Sequence, residues 1–187
     1  MPPGTLLRWG SWIYLALAVT AVLWLGLRDG AIPLALFFDL GAWWADLAAG
    51  GLAAAAIVGL WHLGLLALPS ARALERTIQE TLGPLTTSEV LTLAVVSGFA
   101  EEFFFRGAVQ SHWGIVPTTI LFALLHTGPG REFRVWTVFA LFAGAVLGAL
   151  MIWRGNLLAP AVAHVAVNLF GLARLQRRSP EPSRDAS

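Results

Sequence analysis

The sequence predicts an all-α membrane protein, a polytopic helix bundle with about six transmembrane helices. Of its 187 residues, 57% are hydrophobic and only 12% are charged, about half the charged fraction of a typical soluble domain. The mean hydropathy is +0.72. Several apolar runs also reach the ~20 residues that a helix needs to cross the hydrocarbon core of a bilayer. The chain is therefore expected to be surrounded by lipid.

The apolar runs predict the individual spans, and the first run reads as a retained span because no small-residue cleavage site follows it. We expect one transmembrane domain over residues 1–176, whose more polar half begins near residue 86, and a charged, disordered tail at 177–187. The predicted spans cover residues 9–27, 48–68, 87–110, 135–153 and 157–175, and a short fourth helix at 117–126 lies between the third and the fifth span.

Two segments between the spans have their own patterns. Residues 31–46 are interrupted by Pro33, Asp39 and Asp46, which predicts a short interfacial or re-entrant piece, with a full span as the alternative. Residues 70–85 alternate charged and apolar side chains and predict a solvated amphipathic stretch. Thr86 and Glu89 have the spacing of a capping box, so we expect the third span to begin there.

Arginine positions predict the orientation, because the chain contains no lysine. If the amino terminus is cytoplasmic, the opposite side carries only Arg28 and Arg154. The positive-inside rule therefore favours both termini in the cytoplasm, as expected for a bacterial inner-membrane protein. The arginines form no single patch, so a lipid bilayer and no nucleic acid is the expected partner. The arginines on the predicted cytoplasmic side are Arg8, Arg72, Arg76, Arg131, Arg134, Arg174, Arg177, Arg178 and Arg184.

Polar side chains inside the predicted spans are the candidates for function. Ionisable groups at membrane depth are costly unless they pair or face a wet cavity, so each is a functional candidate. There is no Cys, which excludes disulfides, a thiol nucleophile and thiolate metal ligands. The candidates are Glu101, Glu102 and Arg106 in the third span, His126 at the end of the fourth, and His164 and Asn168 in the sixth.

The spacing of these residues predicts one shared site. Glu102 and Arg106 are four residues apart and can form a helical ion pair, which would be structural or would tune the site. Glu101 points ~100° away around the helix and has no such partner. Helix rise places Glu101, His126 and His164 ~10–15 Å below the outer surface of the bilayer core. A carboxylate and two imidazoles are therefore expected to converge, together with Asn168, which shares a helical face with His164.

Three motifs carry a resemblance to a known family. Glu101 to Arg106 reads EExxxR, Phe122 to His126 reads FxxxH, and His164 to Asn168 reads HxxxN. Together they resemble the CPBP family, the CAAX-protease or Rce1-like and bacteriocin-processing proteins, over about residues 86–175. The resemblance implies an intramembrane glutamic endopeptidase acting on a membrane-anchored protein or peptide, without a cofactor.

The same resemblance implies a role for each motif residue. Glu101 and His126 would activate a water molecule, and burial of a carboxylate suits it to act as a general base. His164 and Asn168 would donate hydrogen bonds to the oxyanion. Glu102 and Arg106 would hold the helix and tune the field around Glu101.

Other functions use the same residues. Two histidines and a carboxylate can hold Zn²⁺, but the sequence has no HExxH motif and Asn168 is a poor zinc ligand. Ser97 lies in no recognisable serine-protease motif. A carrier should show matched halves, whereas the polar residues here are concentrated in the second half. A non-catalytic immunity or scaffold protein is the remaining alternative, and no residue pattern indicates an oligomeric state.

The predicted depth of the site also bears on the substrate. On the preferred topology, a peptide bond would reach it laterally or from the exterior. We therefore expect processing near a membrane-embedded carboxy-terminal helix, as in the sorting (myxosortase-like) branch of the family. The alternative is a CAAX-type endopeptidase that cleaves the carboxy-terminal end of a prenylated protein. His62 and His112 are expected to lie outside the site.

Overall fold

The structure is a computed structural model that describes residues 5–178. Within this range the regular elements are all helical. No strand occurs in this range, so the predicted all-α class is confirmed. The predicted tail at 177–187 begins inside the last helix, and residues 179–187 lie outside the described residues. The elements are α1 Thr5–Asp29, a 3₁₀ turn Leu34–Leu36, α2 Trp43–Ala67, α3 Pro69–Leu82, α4 Thr87–Glu102, a π-helical segment Phe103–Gln110, α5 Ser111–Trp113, α6 Ile115–Leu125, α7 Phe133–Arg154 and α8 Leu158–Arg178.

The structure has fewer complete spans than the predicted six. Helices α1, α2, α7 and α8 are each long and apolar enough to cross a membrane, and α3 with the helix Thr87–Trp113 raises the number to five at most. Helix α6 has 11 residues and a length of only ~16 Å, about half of the hydrocarbon core. The polytopic bundle is therefore confirmed, and the predicted short fourth helix is about half as long as a full span.

Helix α3 lies at a steep angle to the helix that follows it. The two are bent by 111° relative to each other, and Gly83 ends α3 with a φ of +68°, a conformation that glycine adopts without strain. Helix α4 then begins at the predicted capping box: the Glu89 amide donates to Oγ1 of Thr86 (3.2 Å), and the Thr86 amide donates to Oε2 of Glu89 (2.9 Å). The predicted start of the third span is confirmed.

The segment before α2 does not cross the membrane. It contains the short 3₁₀ turn and further turns, which matches the predicted interfacial or re-entrant piece and not the full span. The Leu157 amide donates to the Leu36 carbonyl at 2.8 Å. Helix α2 starts at Trp43, five residues before the predicted position 48, because Asp46 is buried in its first turn beside Arg154. Asp46, which was interpreted as a break in the apolar run, thus forms an ion pair with Arg154 inside the bundle.

Helix α8 occupies the centre of the bundle. It packs mainly against α2 and α4, and a glycine lies at each interface. A Cβ atom on Gly50 would lie 2.5 Å from the Ala159 carbonyl oxygen, and one on Gly98 would lie 2.8 Å from the Val165 amide nitrogen. Small residues allow such close approach between helices in a membrane. The position of α8, which carries His164 and Asn168, therefore depends on these two glycines.

Candidate active site

The two glutamates of the site lie where an α-helix changes into a π-helix. Helix α4 ends at Glu102, and the π-helical segment follows at once. Wider π turns inside helices occur frequently at functional sites. Two side chains attach the segment to α7: Nη2 of Arg106 donates to the Gly144 carbonyl at 3.0 Å, and Nε2 of Gln110 donates to the Gly148 carbonyl at 2.9 Å. The apolar run predicted a continuous α-helix here, and no sequence pattern indicated the π turn.

Glu102 is fully buried, and both of its side-chain hydrogen bonds are made by Oε1, while Oε2 has no hydrogen-bond partner. Its Oε1 accepts a hydrogen bond from Nη1 of Arg106 at 3.0 Å and another from Nδ1 of His164 at 2.7 Å. The side chains of both Glu102 and Arg106 are 0% exposed. The guanidinium also lies over the Phe122 ring, 4.6 Å from its centroid, which is a favourable cation–π contact. The predicted helical ion pair is present, and it also orients His164.

Glu101 has the opposite environment. Its Oε2 atom lies 3.9 Å from Nε2 of His126 and 3.8 Å from Nε2 of His164. The same oxygen is buried and has no hydrogen-bond partner. Both separations are too long for a direct hydrogen bond, and each leaves room for one bridging water. The structure therefore brings together the carboxylate and the two imidazoles that the sequence analysis placed at similar depth.

The orientation of His126 follows from its backbone contact. His126 follows the last turn of α6, and its Nδ1 lies 2.8 Å from the Phe122 carbonyl oxygen. A carbonyl oxygen only accepts hydrogen bonds, so Nδ1 carries the proton. In the neutral ring the lone pair on Nε2 then points towards Glu101. This tautomer makes the imidazole a second acceptor for the protons of a water held by Glu101.

Asn168 is held by Ser97, a residue considered from the sequence only as a possible nucleophile. Its Nδ2 donates to Oγ of Ser97 at 2.8 Å, and Ser97 in turn donates to the Leu93 carbonyl at 2.6 Å. The position of Ser97 one helical turn before Glu101, on the same face of α4, was the available signal. Because the carboxamide has two N–H groups, the second one remains available to a ligand.

A cavity of about 370 Å³ connects these side chains. It lies between α1, α2, α3, α4, α7 and α8, and along α8 it extends from His164 to Leu175, a distance of ~16 Å. At its far end are Leu74 and Glu75 of α3. The cavity thus extends towards the arginine-rich side. Depth alone predicted access laterally or from the exterior, but depth does not reveal where helices separate. Its polar lining near the site consists of Tyr14, Ser97, Glu101, His126, His164 and Asn168.

The remaining histidines and the metal alternative are also placed by the structure. His62 and His112 are exposed on the bundle surface and do not line the cavity. Within residues 5–178, no group of three His, Asp or Glu side chains has the geometry to hold a metal ion. Nδ1 of His164 is already bonded to Glu102, which leaves only Nε2 free on that ring. The absence of a cofactor stays a prediction.

The fold and the site together define an integral membrane protein with a buried glutamate, two histidines and an asparagine around one cavity. Residues 83–170, just under half of the chain, match the family model described as type II CAAX prenyl endopeptidase Rce1-like. This segment contains all six predicted site residues, and the match agrees with the resemblance that the motifs indicated.

One curated relative extends the comparison. The uncharacterized protein YpbD of Bacillus subtilis (strain 168) is 33% identical over 81 residues, which are 42% of this chain and 41% of that protein. The chain therefore spans about two-fifths of the length of the relative that it matches. No solved structure matches the chain.

Proposed function

We propose that this protein is an intramembrane endopeptidase that hydrolyses a peptide bond of a membrane-anchored protein, using water activated by Glu101 and His126. The contrast between the two adjacent glutamates carries the proposal. Glu102 is neutralised by Arg106 and His164, whereas Oε2 of Glu101 is buried, unpaired and placed between two imidazoles. A buried acceptor without a partner costs ~1–3 kcal/mol. Oε2 of Glu102 is also buried without a partner, so this cost alone does not separate the two residues. They differ because Glu102 is paired with Arg106, whereas Glu101 lines the cavity, where water or a substrate can reach it.

The proposed reaction begins with a water molecule held between Glu101 and His126. Glu101 accepts a proton from the water, and the hydroxyl oxygen attacks the carbonyl carbon of the substrate. The carbonyl oxygen becomes a tetrahedral oxyanion. Glu101 then passes its proton to the amide nitrogen, the carbon–nitrogen bond breaks, and the products are a new carboxyl terminus and a new amino terminus. The glutamate is regenerated in each cycle.

Two side chains support the oxyanion in this proposal. Asn168 lines the cavity and has a second N–H to donate, and Nε2 of His164 can donate when that ring carries protons on both nitrogens. Glu102 holds Nδ1 of His164 at 2.7 Å, so the ring is oriented before the substrate arrives. Donors fixed in this way stabilise the developing charge without reorganisation, and loss of one typically costs ~10²–10³ in rate.

The cavity wall indicates what kind of substrate fits. Aromatic side chains of α2 and α7 line it, among them Trp61, Trp136 and Phe139, and the rings of Trp61 and Phe139 lie 4.9 Å apart. Such a wall suits an apolar chain better than a soluble loop. We propose that the substrate is a membrane-embedded segment, with cleavage near a carboxy-terminal sorting helix. We further propose a bacterial inner-membrane location with both termini in the cytoplasm. In this orientation the cavity extends from the site towards the cytoplasmic side.

Comparative proteomics of membrane and secreted fractions tests this function. The comparison uses a Glu101→Gln strain, the wild type, and a His62→Ala strain as matched control, with the abundance of each variant measured. Accumulation of uncleaved proteins that share a carboxy-terminal apolar helix is expected only in the Glu101→Gln strain. Accumulation of precursors with a cytoplasmic carboxy-terminal CAAX-type end would instead support the prenyl-protein alternative. An unchanged proteome at normal protein abundance would favour the non-catalytic immunity or scaffold role.

The substrate found in this way allows the metal alternative to be tested on the purified protein. Activity that survives a strong chelator agrees with direct activation of water by Glu101 and His126. Activity that is lost on chelation and restored by Zn²⁺ would show that the same residues act through a metal ion.

A further inference from the structure

We propose that α3 is a lid over the cavity, and that the ion pair between Glu75 and Arg174 holds this lid closed until a substrate enters. This inference rests on the proposed function and concerns how a peptide reaches the buried site from the arginine-rich side. The side chains of Glu101 and His164 are only 12% and 7% exposed. Part of the cavity wall therefore has to move before a polypeptide chain can reach them.

One face of α3 forms the end of the cavity that lies farthest from the site. Its lining side chains recur at the spacing of a single helical face. Arg76 and Glu80 lie on the other side of the helix and are exposed. Helix α3 thus separates the cavity from the exposed surface of the arginine-rich side. The lining residues of α3 are Leu74, Glu75, Ile78 and Leu82.

The ion pair joins α3 to α8 through the ends of two side chains. Nε of Arg174 donates to Oε1 of Glu75 at 2.7 Å, and the two side chains are 23% and 8% exposed. Helix α8 is fixed to α2 and α4 in a different way, through close backbone approach at Gly50 and Gly98. The ion pair can therefore separate without disturbing the packing that positions His164.

The two ends of α3 allow it to move as a unit. Leu68 precedes the helix in an extended conformation, with φ −111° and ψ 117°. Residues 83–86 follow it without helical structure, and Gly83 has a φ of +68°. Hinge rotations are absorbed by a few residues at the ends of an element. Because α3 is bent by 111° from the helix that follows, it can swing away from α8 without bending α4.

The lid has a kinetic consequence. Only the open fraction of the protein admits substrate, so a latch that favours the closed state raises the apparent KM. Both charged groups become hydrated when the lid opens, which makes the pair weak enough to separate. Loss of the pair should therefore raise the open fraction and lower KM by about two- to fivefold. It should leave kcat unchanged, because the reacting groups are not altered.

The first test measures opening in the purified full-length protein without any substrate. Val167 lines the cavity, and Val167→Cys carries a single thiol because the native chain has no Cys. Adding Glu75→Gln or Arg174→Gln should raise the rate at which a thiol reagent modifies it by about two- to fivefold, and the two together should not exceed either alone. Arg174 does not line the cavity, so equal effects identify the pair as the cause. The matched control is Asp29→Cys, whose exposed thiol should react at the same rate in all backgrounds.

The second test locks the lid and measures cleavage of the substrate identified by the proteomic comparison. Glu75→Cys/Arg174→Cys is cross-linked with a bifunctional maleimide that has a disulfide in its spacer. Cleavage should be lost on cross-linking and restored by reduction, which leaves both half-linkers in place and cuts only the connection. Arg28→Cys/Ser111→Cys is the matched control, because these native side chains are bonded at 2.9 Å at the opposite end of the protein. It should cleave equally well before and after cross-linking.

The outcomes separate the lid from the proposed function. Cleavage that survives cross-linking of positions 75 and 174, or a loss that reduction does not reverse, would overturn the lid. Unchanged labelling of Val167→Cys in both glutamine variants would overturn it as well, and this measurement does not depend on catalysis. The proposed function fails separately, if Glu101→Gln still cleaves the substrate.

Discussion

Nδ1 of His164 lies 2.7 Å from Oε1 of Glu102, and this hydrogen bond links α8 to the end of α4. The other nitrogen of the same ring faces Glu101 at 3.8 Å. A buried ion pair is therefore connected through one imidazole to the carboxylate that lines the cavity. The two glutamates are adjacent in sequence, but they are expected to respond differently to the same substitution.

The first prediction compares Glu101→Gln with Glu102→Gln. Glu101→Gln should reduce cleavage by ~10²–10⁴ or more, because the general base is lost, and should leave thermal unfolding unchanged. Glu102→Gln removes the charge that compensates buried Arg106, and breaking such a pair costs about 3–5 kcal/mol. Its protein abundance and unfolding midpoint in detergent should both fall. Equal loss of abundance in the two variants would contradict the separation of roles.

The second prediction concerns the four histidines. His126→Ala and His164→Ala should each abolish cleavage, since both rings lie within 4 Å of Oε2 of Glu101. His62→Ala and His112→Ala should retain activity, because these side chains are exposed and lie outside the cavity lining. The four variants are compared for cleavage rate at equal protein amounts. A strong loss in His62→Ala would show that the assigned site is incomplete.

The third prediction uses two adjacent glycines of α2. Gly50→Ala should destabilise the fold by about 1–3 kcal/mol through overpacking, because the new Cβ atom would lie 2.5 Å from the Ala159 carbonyl oxygen of α8. Gly51→Ala meets nothing within 4 Å, and alanine is favoured over glycine in a helix by up to ~1 kcal/mol. Thermal unfolding in detergent should therefore fall for the first variant and stay level or rise for the second. The opposite order would mean that α2 and α8 are not packed closely at this point.

The fourth prediction concerns the polar cluster around Asp46. Asp46 is 0% exposed; one oxygen accepts from Nε of Arg154 at 2.5 Å and the other from Nδ2 of Asn156 at 3.0 Å. Asn156 also accepts from the Leu158 amide at the start of α8. Asp46→Ala removes the charge partner of Arg154, whose side chain is 18% exposed, and an acceptor of buried Asn156, so it should cost about 1–3 kcal/mol.

The control for this cluster is Asp39→Ala. Asp39 is exposed and only accepts a hydrogen bond from the Gly41 amide, so its removal should change stability by no more than about 1 kcal/mol. Chemical or thermal unfolding of the two purified variants gives the comparison. Similar stabilities for both would show that the Asp46 cluster does not hold α2, α7 and α8 together.

The fifth prediction concerns topology. Glu80 is exposed on α3, and the native chain has no Cys, so a Glu80→Cys variant carries one reporter thiol. A membrane-impermeant thiol reagent should leave it unlabelled in intact cells and label it in inside-out vesicles. Asp29 ends α1 on the predicted external side, so Asp29→Cys should be labelled in intact cells and not in inside-out vesicles. Labelling of position 80 from the outside would overturn the proposed cytoplasmic location of both termini.

Local features of the chain were predictable from the sequence for a simple reason. The free energy of moving a side chain from water to lipid depends mainly on the residue itself, so apolar runs indicate membrane helices. Capping is equally local, and Thr86 and Glu89 indicated the start of α4. Helical spacing and rise placed Glu101, His126 and His164 at similar depth. The sequence by itself therefore determined the all-α class, and it predicted that Glu101, His126 and His164 lie close together, as the structure shows.

Only the tertiary structure decided how these residues are connected and from which side they are reached. The π-helical segment depends on hydrogen bonds to Gly144 and Gly148 of another helix, and no local pattern encodes such a contact. Asp46 looked like an interruption in the apolar run, but its partners are Arg154 of α7 and Asn156 in the turn before α8. The direction of the cavity likewise arises where distant helices meet. Contacts between residues far apart in sequence depend on packing geometry, which hydrophobic periodicity does not specify.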